Sequence, residues 1–124
     1  MTKVLVVDDE IPEQRHLSEI LYSSFSGSVT LQCANNGKEA VAQATLWNPD
    51  IVLMDIEMPQ MDGYHLTKLI KENDETKDIP VVIFSSLVND EMRAKGEQLG
   101  VDAQLSKPEI VKLVEVLDGL LLKK

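Results

Sequence analysis

Three short runs of continuous apolar residues constrain the fold of this chain more than any other feature. The runs are Val4–Val7, Ile51–Met54 and Val81–Phe84, and a polar residue, Asp or Ser, follows each of them directly. Runs this short cannot span a bilayer, and they lack the alternation of strands that have one wet face. They therefore predict the central strands of a parallel β-sheet that helices cover on both faces.

Two further strand candidates alternate apolar and polar residues. They are Ser28–Cys33 and Val101–Ser106, and the alternation predicts strands that are partly exposed to water at the two edges of the sheet. With the continuous runs in the middle, the strand order is predicted to be 2-1-3-4-5. The prediction is thus an α/β, doubly wound, five-stranded parallel sheet of the flavodoxin-like type.

The segments between the strands have the periodicity and end signals of helices. The helices are predicted to start near Ile11, Asn36, Asp62, Asn89 and Glu109. Stop signals occur at Gly27, Pro49 and Gly100, and the fifth helix is predicted to run to about Leu121. The third is predicted to bury Leu66, Leu69 and Ile70, and the fifth to bury Ile110, Val114, Leu117 and Leu121. The fourth has a thin apolar stripe and contains Gly96, which is followed by Gly100, so it is predicted to be a soft element.

The fifth predicted helix carries more apolar residues than one buried face needs. Besides its inner stripe it contains Val111, Leu113, Val116 and Leu120. This excess suggests a partner or homodimer face built from the fourth helix, the fifth strand and the fifth helix, with a somewhat apolar surface as the alternative.

Composition excludes several classes of protein. The 124 residues suit one domain, predicted to cover positions 1–124, and the formal net charge of −9 disfavours binding to nucleic acid or to an anionic membrane. The single cysteine, Cys33, excludes an internal disulfide framework. Because no apolar signal-peptide segment follows Met1, a cytoplasmic location is predicted.

Polar and charged residues follow the predicted strands where chemistry is expected in a parallel sheet. They are Asp8 and Asp9 after the first strand, Asp55 and Glu57 after the third, Ser85 and Ser86 at the end of the fourth, and Lys107 after the fifth. Three carboxylates in one cleft repel each other by roughly 3 kcal/mol per pair at about 5 Å, so Lys107 or a divalent cation must offset them. Oxygen ligands without Cys favour Mg²⁺, and the set fits phosphoryl chemistry with Asp55 as nucleophile.

These residues resemble the receiver domain of two-component response regulators over essentially the whole chain. The matching motifs are Val6–Asp9, Leu53–Pro59, Met61–Gly63, Ser85–Ser86 and Lys107–Pro108, and the order and spacing of all five make the resemblance specific. The stretch from Val82 to Ile110 is most similar to chemotaxis-type receivers.

The resemblance implies that Asp55 accepts a phosphoryl group from a histidine kinase and that the chain then controls a downstream protein. It implies Mg²⁺ held by Asp9, Asp55 and the carbonyl oxygen of Glu57, with Asp8 acting through a metal-bound water. Phosphoryl oxygens would be bound by Ser85, Ser86 and Lys107, and the Lys107–Pro108 bond would be cis.

One residue departs from the family pattern. Three residues before Lys107, where the family usually has Tyr or Phe, this chain has Gln104. The usual aromatic coupling between phosphorylation and conformation is therefore not expected, and the fourth helix and the loop after the fourth strand are predicted to carry the signal.

Three other functions compete with a phosphorylation switch. An aspartate-nucleophile phosphohydrolase usually has a second Asp where this chain has Glu57, and it needs a longer chain for a substrate cap. A flavin or nucleotide carrier needs a loop rich in Gly, Ser or Thr after the first strand, whereas this chain has Asp8–Glu10 there. A receiver that never accepts phosphate is disfavoured by the complete acidic set.

Overall fold

Five strands and five helices alternate along the described part of the chain. The computed structural model describes residues 2–8, 11–25, 29–35, 37–54, 63–85, 90–106 and 110–122. The strands are β1 (Thr2–Val7), β2 (Val29–Ala34), β3 (Ile51–Met54), β4 (Val81–Ser85) and β5 (Ala103–Ser106). The helices are α1 (Ile11–Ser24), α2 (Gly37–Trp47), α3 (Gly63–Glu72), α4 (Asp90–Leu99) and α5 (Ile110–Leu122). None of the helices in these ranges is long and apolar enough to cross a bilayer.

The sheet is parallel, with the order β2-β1-β3-β4-β5. This confirms the predicted topology and the flavodoxin-like fold. All four residues of β3 are buried, whereas exposure rises and falls along β2. Continuous apolar runs therefore mark the centre of the sheet, because helices remove both of its faces from water there.

Two apolar clusters lie on opposite faces of the sheet. One joins Val4, Val6 and Leu53 to the inner residues of α1 and α5, and the other joins Leu5, Val7 and Val52 to those of α2 and α3. Successive strand residues point to opposite faces, so each central strand contributes to both clusters. This explains why β1 and β3 need apolar residues at consecutive positions.

The inner faces of two helices differ from the prediction. In α3, Leu66 and Ile70 are buried as predicted, but Leu69 is 37% exposed and Thr67 is fully buried. The Thr67 hydroxyl donates a hydrogen bond to Met54 Sδ at 3.6 Å, which allows a polar residue to occupy the buried position. A helical face that is centred on Leu66 and Ile70 includes Thr67 and leaves Leu69 at its side.

In α5 the buried face is rotated relative to the prediction. Leu113 and Leu117 are fully buried, whereas Val114 is only half-buried. Val116 and Leu120 pack against the same core cluster. The interpretation of Leu113 as surplus apolar surface is therefore wrong, because the β1–β3–β4–β5 face buries it as core, whereas Val116 and Leu120 are only partly buried against that cluster.

The end of α4 confirms its predicted stop signal. Gly100 has φ +87, and its N–H donates to the carbonyl oxygen of Glu97, while the Val101 N–H donates to that of Gly96. This pair of bonds is a Schellman motif, which uses a left-handed residue to satisfy the last carbonyl groups of a helix. The motif fixes the direction in which the chain leaves α4 toward β5.

Candidate functional site

The strand register brings the carboxyl ends of β1 and β3 side by side. Val7 pairs with Met54, the last residue of β3, and Met54 pairs with Ile83 in β4. Ser85, the last residue of β4, pairs with Ser106, the last residue of β5. Neighbouring strands lie about 4.8 Å apart, so the chain segments that follow these four strands start from one edge of the sheet.

Asp8 is the predicted acidic residue that the structure describes in full. It follows β1 directly, its backbone N–H donates to the Ala34 carbonyl oxygen at 3.0 Å, and the residue is 1% exposed. Its Oδ2 atom is buried. Removing an ionised carboxylate from water is costly unless positive charge or hydrogen bonds compensate, so a buried Asp8 fits a cation site at this edge.

The remaining predicted site residues fall mostly outside the described part of the chain. These are Asp9, Asp55, Glu57, Ser86 and Lys107, together with the Lys107–Pro108 bond. The backbone of Ser85 belongs to β4, but its side chain is not among those described. The ligand set, the phosphoryl contacts and the cis bond therefore stay predictions. The structure contributes the register of the strands that lead to them.

Gln104 lies in β5 with its side chain on the α3 and α4 side of the sheet. It is 8% exposed although it is polar and belongs to an edge strand. Its Nε2 donates to the Arg93 carbonyl oxygen at 2.9 Å, and its Oε1 accepts a hydrogen bond of 3.4 Å from the Tyr64 hydroxyl. Arg93 Nη1 in turn donates to the Gln104 carbonyl oxygen at 3.3 Å. One side chain thus joins β5 to both α3 and α4.

Gly96 leaves the space that the Gln104 amide occupies. A Cβ atom at position 96 would overlap Gln104 Nε2 and would lie 2.6 Å from Gln104 Cδ. A side chain at position 96 would force the Gln104 amide to shift, so Gly96 permits the close packing of α4 on β5, a role that the interpretation of Gly96 as a source of softness had missed. The sequence showed a glycine in α4 and a glutamine before Lys107, but the contact between them needs the fold.

The fold, the converging strand ends and the buried Asp8 define a receiver-like α/β protein. The family model of the response regulator receiver domain matches residues 4–118, and the chain belongs to this family. Protein-glutamate methylesterase/protein-glutamine glutaminase 1 of Vibrio cholerae is 43% identical over 101 residues, covering 82% of this chain and 26% of that protein. A corresponding protein of Rhodospirillum rubrum is 40% identical over 111 residues, covering 88% of this chain and 29% of that protein. The chain thus spans less than a third of the length of these two relatives.

Solved receiver structures superimpose on nearly the whole chain. The receiver domain of a signal transduction histidine kinase from Syntrophus aciditrophicus has a TM-score of 0.87 and 29% identity, and the match covers 99% of this chain and 92% of that one. The Vibrio cholerae chemotaxis protein CheY4 also has a TM-score of 0.87, with 27% identity and coverage of 97% and 98%. These similarities confirm the resemblance on which the sequence analysis depended.

Proposed function

We propose that this chain is a phosphorylation switch in which Asp55 accepts a phosphoryl group from a histidine kinase. The group would leave a histidine nitrogen of the kinase and bond to a carboxylate oxygen of Asp55. The observation that carries the proposal is the pairing of Val7 with Met54, after which Asp8–Asp9 and Asp55 begin at neighbouring strand ends. Membership of the receiver family supports the same role.

The residues that follow the strands are proposed to form two sets, one that binds the metal and one that binds the phosphoryl group. Asp9, Asp55 and the carbonyl oxygen of Glu57 would hold Mg²⁺, with Asp8 acting through water, an all-oxygen set that suits this ion. When bound, Mg²⁺ would neutralise charge on the carboxylates and on the phosphoryl oxygens. Ser85, Ser86 and Lys107 would bind the phosphoryl oxygens that the metal leaves available.

The output of the switch is proposed to be control of a protein partner rather than turnover of an external substrate. A phosphoryl group adds about −1.5 to −2 charges and three strong acceptors, so Ser85 and Lys107 would close on it and shift the population of α4. The α4–β5–α5 face would bind the target, and a homodimer on activation belongs to the same proposal. A role for the chain as receiver within two-component signalling, in chemotaxis in particular, is supported by the names of its relatives. The cytoplasmic location and the extent of the domain over 1–124 stay predictions.

Phosphorylation of the purified chain by acetyl phosphate with Mg²⁺ tests the proposal. Intact-mass analysis should show the addition of one phosphoryl group, and the addition should disappear when EDTA removes Mg²⁺. The substitution Asp55→Asn should abolish the mass increase, because an amide cannot act as the carboxylate nucleophile.

A matched control separates loss of the nucleophile from a general change in charge. Asp74 has a side chain that is 95% exposed, so Asp74→Asn removes the same charge far from the strand ends. This variant should be phosphorylated like the unaltered chain. Phosphorylation that persists in Asp55→Asn, or that needs no divalent cation, would contradict the proposal.

A further inference from the structure

A small groove lies between α3 and α4, lined by Tyr64, His65, Lys68, Lys95 and Leu99. We call these five residues the α3–α4 groove. Its volume is about 250 Å³, smaller than the roughly 300–1,000 Å³ of typical sites for small organic ligands. Its size therefore suits one or two side chains of a bound protein segment better than a cofactor.

The charge of the groove is opposite to that of the chain. The whole chain carries −9, yet two lysines line the groove and none of its described lining residues is acidic. Lys95 Nζ lies 4.8 Å from the centre of the Tyr64 ring, and Lys68 and His65 are exposed on α3. A local concentration of positive charge on an acidic protein attracts acidic ligands by charge complementarity.

The groove also has an apolar part. The half-buried Leu99 supplies this part, because Tyr64 also lines the groove but is only 5% exposed. A free inorganic anion would use the lysines and gain nothing from Leu99. Nucleic acid is disfavoured as the occupant because the rest of the chain would repel its phosphates.

The groove is connected to the edge of the sheet through its aromatic residue. The Tyr64 hydroxyl donates to Gln104 Oε1, and Gln104 is held to α4 through the Arg93 carbonyl oxygen. A ligand that moves the Tyr64 ring therefore changes a hydrogen bond of the residue that lies three positions before Lys107.

We propose that the α3–α4 groove binds an acidic segment of a partner protein, with an apolar side chain placed against Leu99. Carboxylates on either side of that side chain would pair with Lys68 and Lys95. Binding would be sensed at Gln104 through the Tyr64 hydroxyl. The groove takes three of its five lining residues from α3, which the α4–β5–α5 face of the proposed function does not include, and it does not require phosphorylation of Asp55.

Titration of the ¹⁵N-labelled chain with the acetylated peptide Glu-Glu-Leu-Glu-Glu tests this proposal. Amide signals of His65, Lys68, Lys95 and Leu99 should shift together, and the Gln104 amide should shift with them. Lys68→Glu should raise the Kd of the peptide roughly fivefold, because an attractive charge pair at an exposed position becomes repulsive. Lys38→Glu is the matched control on the exposed surface of α2 and should bind the peptide like the unaltered chain.

Further comparisons distinguish the proposed occupant from other ligands. The peptide Gln-Gln-Leu-Gln-Gln should not shift the groove signals, and Tyr64→Phe should bind the acidic peptide without a shift at Gln104. Equal losses in Lys68→Glu and Lys38→Glu, or equal shifts caused by inorganic phosphate, would overturn the proposal. Absence of shifts at saturating peptide would overturn it as well. Asp55→Asn should retain peptide binding. A failed peptide titration is therefore distinguishable from a failed phosphorylation test.

Discussion

Gln104 is buried at a position where a polar residue on an edge strand is expected to face water. Its amide nitrogen donates a hydrogen bond to the Arg93 carbonyl oxygen, and its amide oxygen accepts one from the Tyr64 hydroxyl. A buried amide is tolerated when its hydrogen bonds are made, and it costs stability when they are not. Gln104 therefore fixes the distance between α4 and β5. An aromatic residue, which the usual receiver pattern has at this position, would make no equivalent pair of hydrogen bonds to α3 and α4.

The contact between Gly96 and Gln104 can be measured by a double-mutant cycle. Gly96→Ala should lower the free energy of unfolding by about 1–2 kcal/mol, because the new methyl group displaces the Gln104 amide from its hydrogen bonds. Gln104→Ala should cost about 1–3 kcal/mol, since the hydrogen bonds of the Gln104 amide are lost and a cavity remains. Urea denaturation of both single variants and of the double variant gives the coupling energy.

The double variant is expected to be more stable than the sum of the two losses predicts. When alanine replaces Gln104, the methyl group introduced by Gly96→Ala enters space that the amide has left, so the losses should overlap by about 1 kcal/mol or more. Strict additivity would show that the two residues do not constrain each other. That result would remove the packing explanation for Gly96.

At the scale of elements, two further glycines differ in what their backbone requires. Gly100 has a positive φ of 87 at the end of α4, whereas Gly119 lies inside α5 without a positive φ, and a Cβ atom there would meet no other atom within 4 Å. A side chain at position 100 would strain the left-handed backbone, and one at position 119 would extend into open space.

Substitution of these two glycines by alanine should change stability in opposite directions. Gly100→Ala is expected to lower the free energy of unfolding by about 1 kcal/mol, because a Cβ atom disfavours the left-handed conformation. Gly119→Ala should raise it by about 0.5 kcal/mol through lower entropy of the unfolded chain and better helix propensity. Urea denaturation checks both, and a stabilising Gly100→Ala would contradict the role of Gly100 in ending α4.

The fifth helix shows why element boundaries are easier to predict than buried faces. Its predicted range differs from the observed Ile110–Leu122 by about one residue at each end. Its apolar residues surround much of the helix, however, so periodicity alone does not select the buried side. Leu113 and Leu117 became core because β1, β3, β4 and β5 meet α5 from that direction.

At the scale of the whole molecule, the parallel sheet brings together strand ends that acidic residues follow in the sequence. Asp8 and Asp55 are distant in the sequence, yet the strands before them end as direct neighbours. In the proposed site their carboxylates repel each other, and Mg²⁺ or Lys107 would relieve the repulsion. Removing one carboxylate should therefore stabilise the fold when Mg²⁺ is absent.

Thermal unfolding in EDTA tests the crowding of these carboxylates. Asp55→Asn should raise Tm by roughly 4 °C, corresponding to about 1 kcal/mol for a chain of this size, and the gain should shrink in saturating Mg²⁺. Asp74→Asn, on an exposed turn, should leave Tm nearly unchanged. An unchanged or lower Tm for Asp55→Asn in EDTA would contradict a crowded acidic site.

The sequence by itself determined the order of the elements, the identity of the central and edge strands, and the family. These follow from local signals, because short continuous apolar runs, alternating edge strands and motifs such as Val6–Asp9 and Lys107–Pro108 can be read without knowing what they contact. The candidate site was predicted for the same reason: its residues follow directly after strands whose parallel order brings their ends together.

Only the tertiary structure decided which helix faces are buried and how Gln104 is bonded. Leu69, Leu113 and Gln104 are each buried or exposed according to neighbours that come from other parts of the chain. The α3–α4 groove has the same origin, since Lys68 and Lys95 are ordinary surface lysines until α3 and α4 lie side by side. Contacts between distant residues depend on how elements pack in three dimensions, and hydrophobic periodicity along one element does not contain that information.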